Sequence, residues 1–120
     1  MILDWTKRNI AHFLTGSTID YPTYFMIGSG SGTVVATQTT LFNPSDRQEV
    51  TVTNGSTIQK IKWTGDWNSV ELSGTTFQEW GMAISGAGTT GSMWSKMVTP
   101  NTFTFDGTTE LRIEETWEVY

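Results

Sequence analysis

The clearest pattern in the chain is a strict alternation over its last twelve residues. Leu111, Ile113, Glu115, Trp117 and Val119 fall on one side, and Arg112, Glu114, Thr116, Glu118 and Tyr120 on the other. A period of two is the mark of a half-buried β-strand, predicted here over residues 109–119. At ~3.3 Å per residue the alternating stretch spans roughly 35 Å, and a strand that long needs neighbours on both sides. Residues 5–15 carry the one helical pattern. Ile10, Phe13 and Leu14 recur at i, i+3 and i+4 with Thr6 and Leu3 one turn back, Asp4 is the predicted cap, and Gly16 stands where a helix-ending glycine belongs. The helix is expected to bury Ile10, Phe13 and Leu14 and to wet Lys7, Arg8 and Asn9.

Short β-prone runs fill the remainder. Residues 23–27 read as an apolar strand, and Asn54-Gly55 between residues 48–53 and 56–64 reads as a hairpin turn. Residues 76–85 read as a strand with an irregularity at Gly81, followed by a glycine-rich loop at 86–91 and a return strand at 92–98. Residues 43–46 and Pro100-Asn101 read as turns. About eight strands, one early helix and no βαβ alternation predict an all-β fold, an antiparallel β-sandwich forming a single domain over residues 1–120. The landmarks are the helix at 5–15, the hairpin at 48–64 and the long strand at 109–119.

Composition narrows the function classes. A net charge of −5 and scattered Lys and Arg argue against a nucleic-acid partner, which needs a basic face. There is no cysteine, hence no disulfide framework, and no apolar run long enough for a membrane span or a leader peptide. Only 16% of residues are charged, and six are Trp. A weakly charged, Thr-rich chain with excess aromatics suits a protein packed against other proteins.

The chemical motifs are thin. The Gly28, Gly30 and Gly32 run lacks the spacing and the following helix start of a phosphate loop, so it reads as a loop between β elements. His12 is the single histidine, with no acid or nucleophile beside it. Asp106 to Glu110 offers hard oxygens without calcium-loop spacing and reads as an ordinary turn. No catalytic residue, cofactor or metal is therefore expected, and the expected role is not enzymatic. Glu115 is the exception in the final strand, a carboxylate on an otherwise apolar side. It requires either a partner, with Lys62 and Lys96 as candidates, or a place at a subunit contact.

Several segments, taken in order, resemble small virion proteins of tailed bacteriophages. They are Asn9-Ile10-Ala11 with Leu14 and Gly16; Ile27-Gly28 with Gly30; Glu79 with Gly81-Met82; and Gly91 with Met93-Trp94 and Lys96-Met97-Val98. The last is Phe105-Asp106-Gly107-Thr108 running through Leu111, Ile113 and Trp117 to Val119. The resemblance implies a non-enzymatic structural part of a particle, of the tail, baseplate, fibre-base or head-decoration type. It implies other virion proteins as partners, a homo-oligomer or symmetric assembly, and a chain made in the host cytoplasm and carried in the virion. Trp67, Trp80, Trp94, Glu115, Trp117 and Tyr120 are the candidate interface residues. The alternative is a carbohydrate- or receptor-binding sandwich at a tail or fibre tip, with exposed Trp rings stacking a host glycan.

Overall fold

A computed structural model describes residues 1–16, 22–54, 60–84 and 93–118. The early helix is α1 (Asp4–Leu14), and Gly16 adopts φ +85° just past its end, where a left-handed residue closes a helix. Leu3, not Asp4, is the N-cap residue, and no side chain caps the helix start. Among the described residues seven strands follow: β1 (Tyr24–Gly28), β2 (Pro44–Glu49), β3 (Thr51–Asn54), β4 (Lys60–Trp67), β5 (Thr76–Ala83), β6 (Met97–Thr104) and β7 (Leu111–Glu118). They form two antiparallel sheets, ordered β2-β1-β5-β6 and β3-β4-β7, in a sandwich-like all-β fold. One turn of helix, α2 (Ser69–Leu72), lies between β4 and β5 and was not expected. Its sequence signal is Asn68 three residues before Glu71: the Asn68 side chain accepts from the Glu71 amide, and the Glu71 carboxylate accepts from the Asn68 amide.

The main core lies between the sheets and is built by Phe25, Ile27, Trp63, Trp67, Leu72, Met82, Trp94, Phe105 and Ile113. A second cluster, Leu3, Met26, Leu41, Ala83 and Met93, covers the far face of the four-stranded sheet. β1 is thus buried on both faces, which explains its unbroken Phe-Met-Ile run. The segment at residues 44–54 serves both sheets. β2 pairs with β1, the Val50 amide donates to the Thr23 carbonyl, and β3 then pairs with β4.

The structure corrects several expectations. Asn43 to Asp46 is not a turn, because β2 begins at Pro44; as an edge strand it needs no amide there. Pro100-Asn101 likewise lies inside β6, another edge strand, beside a register shift between Phe77 and Glu79. That shift, not Gly81, is the irregularity of β5. Gly81 sits in regular register opposite Met26, and a Cβ there would strike the Ser95 carbonyl and the Met93 side chain. The β3–β4 hairpin exists, yet Asn54 belongs to β3 and pairs with Ile61, so Asn54-Gly55 is not its turn. The predicted loop at residues 86–91 lies outside the described residues, as does Tyr120. Finally, β7 is an edge strand rather than a central one: it pairs with β4 over all eight residues, and among the described residues with no other strand.

Candidate functional site

The motif residues of the central strands converge on one buried feature. Glu79 on β5 lies opposite Gly28 on the outer face of the four-stranded sheet and is fully buried. Its Oε1 accepts from the amides of Gly30 at 3.1 Å and Asn43 at 2.6 Å, and its Oε2 accepts from the Phe42 amide at 2.8 Å. Lys96, 2% exposed, places Nζ 4.0 Å from Glu79 Oε2, donates to the Thr40 carbonyl at 3.0 Å, and lies 3.5 Å above the Phe42 ring. Burial pulls the Lys96 ammonium below its usual range, and the Glu79 carboxylate partly opposes this. This carboxylate latches the 29–43 connection onto the sheet. The glycines have a matching cause: a Cβ on Gly30 would lie 2.5 Å from Phe42 Cβ and 2.8 Å from Glu79 Oε1. The glycine loop does present one amide to an anion, that of Gly30, and that anion is the chain's own Glu79.

Glu115 has a partner in the chain, although neither candidate lysine supplies it. Ser95 Oγ lies 3.0 and 3.1 Å from its two carboxylate oxygens, and Trp117 Nε1 donates to Oε2 at 2.9 Å. Lys62 faces Glu114 instead, at 3.6 Å, and Lys96 faces Glu79. Burial raises the Glu115 carboxyl above its usual range, and the Ser95 and Trp117 donors offset part of that shift.

The candidate interface tryptophans divide. Trp67 and Trp94 are core residues, 1% and 5% exposed, and Trp67 Nε1 donates to Asp46 across the sheets. Trp80 is half-buried and edge-on to Phe25, while Trp117 is half-buried against Trp63 and Trp94, with ring centroids 5.3 and 5.9 Å away.

The surface feature missed in the sequence is the outer half of α1. Its apolar stripe is continuous, but only the first part is docked. Thr6 is buried with Oγ1 donating to the Trp94 carbonyl at 2.7 Å, Asn9 is buried with Nδ2 donating to the Trp5 carbonyl, and Trp5 packs on the core. On a helix turning 100° per residue, Phe13 and Ile10 continue the Thr6–Asn9 stripe. They are 63% and 45% exposed, and Leu14 beside them is 77% exposed. The expectation that the helix buries Ile10, Phe13 and Leu14 and wets Asn9 is thus overturned: α1 docks through Trp5, Thr6 and Asn9, and the three apolar residues stay exposed.

Other polar groups are engaged within the chain. Asp106 accepts from the Thr108 amide and hydroxyl in a turn where Gly107 takes φ +92°, and the hydroxyl bond foremost holds its carboxyl below the usual range. A depression of about 310 Å³ is lined by Asp66, Trp67, Asn68, Glu110, Leu111 and Arg112; Asp66 and Arg112 already pair at 2.7 Å within it. His12 lies on the exposed side of α1. Among the described residues, no helix is long and apolar enough to cross a membrane. No protein-family model, no curated protein and no solved structure matches the chain.

Proposed function

We propose that this chain is a non-enzymatic structural component of a tailed-phage virion, acting by protein–protein assembly. The observation that carries the reading is the overhanging apolar half of α1, where Ile10, Phe13 and Leu14 extend a docked stripe past the body of the sandwich. A helix face of this kind is stabilised when a neighbouring subunit covers it. The motif resemblance supports a virion as the setting of that neighbour, and the latched loop and closed aromatic core suit a body that packs. With the rings of Trp67 and Trp94 enclosed, no observation favours the glycan-binding alternative.

The test is incorporation into particles. Purified virions are expected to contain the chain in a fixed copy number. Leu14→Asp should leave the isolated chain's stability within about 0.5 kcal/mol, since the side chain is exposed, and should abolish incorporation. Particles that lack the wild-type chain, or that take up Leu14→Asp normally, would refute the assignment.

A further inference from the structure

The four sheet edges are not alike. β2 begins with Pro44 and has a register shift against β1, and β6 contains Pro100 and a register shift against β5. These are the ordinary ways of blunting an edge. β7 has none of them: it pairs with β4 from Leu111↔Trp67 to Glu118↔Lys60 without a shift, and it contains neither Pro nor Gly. Among the described residues, its other side meets no strand. What β7 does carry is charge, with Glu115 inward and Arg112, Glu114 and Glu118 outward, where they also face Asp66, Lys62 and Lys60 of β4 on the other side.

Charge selects among the partners such an edge can take. For a second β7 laid antiparallel about a two-fold axis, the pleat requires the axis to pass through a residue position. Four positions, 113 to 116, pair at least five residues of the strand. An axis at Glu114 opposes Glu114 to itself, one at Glu115 opposes Glu115 to itself, and one at Thr116 opposes Glu114 to Glu118. Only the axis at Ile113 opposes no like charges. It sets Arg112 against Glu114 of the second copy twice over, with the two Ile113 side chains meeting on the inner face. We infer that β7 is a homotypic edge, joining a second copy of this chain antiparallel with the two-fold at Ile113, so that the three-stranded sheets become one six-stranded sheet. Glu115 then acts as the register guard, because its inward charge opposes the longer seven-residue alignment centred on itself.

This inference deepens the assembly reading by naming a second copy as one partner, and its test is separate from particle incorporation. Light scattering of the isolated full chain over a rising concentration series should show a monomer–dimer equilibrium. Hydrogen exchange should show β7 amides gaining protection with concentration. Arg112→Glu and Glu114→Arg should each weaken the dimer by about tenfold or more, since both symmetry-related pairs change from opposite to like charges. The double variant R112E/E114R should restore dimerisation, because the exchanged charges again face each other. Circular dichroism of each variant checks that the fold is kept. A wild-type chain that stays monomeric, with the β7 amides that point away from β4 unprotected at every concentration, overturns the inference. So does a folded double variant that stays as weak as the single ones, because the axis would then not lie at Ile113.

Discussion

Removing the Glu79 carboxylate is the sharpest test of how this fold holds together. Three backbone amides and the Lys96 ammonium converge on a fully buried group. Hydrogen bonds to a charged partner contribute about 1.5–3 kcal/mol each, and removing one member of a buried ion pair costs about 3–5 kcal/mol. These figures overlap and are not summed, so Glu79→Ala should lose at least about 3–5 kcal/mol out of a typical total of 5–15. With an unfolding entropy of ~2.1 cal/mol/K per residue, a 120-residue chain loses about 4 °C of Tm per kcal/mol, giving a drop of roughly 12–20 °C. Glu79→Gln keeps one acceptor but turns an amide donor towards one of the N–H groups, and should cost less than Glu79→Ala. Lys96→Met should cost least, because Glu79 retains its three amides. Urea unfolding followed by tryptophan fluorescence measures the series, and hydrogen exchange should show the Gly30, Phe42 and Asn43 amides losing protection in Glu79→Ala. A Glu79→Ala loss under about 1 kcal/mol, or a Lys96→Met loss equal to it, would refute the latch.

Two further outcomes concern other buried contacts. At Glu115 the folded carboxyl titrates above its usual value, so the folded state holds its proton more tightly than the unfolded chain does. That contribution is present in full below the ordinary carboxyl range near 4.5 and is lost as pH rises through the folded value, leaving a net cost at neutral pH. Glu115→Gln should therefore be more stable than wild type at pH 7, with the gain shrinking towards pH 4 in a pH series of urea midpoints; equal midpoints at both pH values would contradict the desolvation account. Gly81→Ala places a methyl group against the Ser95 carbonyl and the Met93 side chain. Since the backbone side cannot yield, a loss of about 1–3 kcal/mol is expected, and thermal unfolding unchanged from wild type would show that residues 93–95 can shift.

Local patterns determined much of this protein. Alternation marked β7, spacing marked α1, and Gly16 closed the helix where it was expected, because backbone period and left-handed φ are decided within a few residues. The Asn68 and Glu71 capping pair was equally local, and the same reasoning could have found α2. Only the tertiary structure decided what those elements face. The proline positions read as turns because proline breaks a central ladder, whereas both lie on sheet edges, a status that depends on strand order. The helix α1 was legible, but which of its sides meets the sandwich was not: Asn9 is buried while Phe13 and Leu14 are exposed. The same limit governed charge. Glu79 and Lys96 are 17 positions apart, and the amides they secure lie 36 to 49 positions before Glu79. No spacing rule reaches that far, and which buried charge meets which donor is settled when the sheets close on one another.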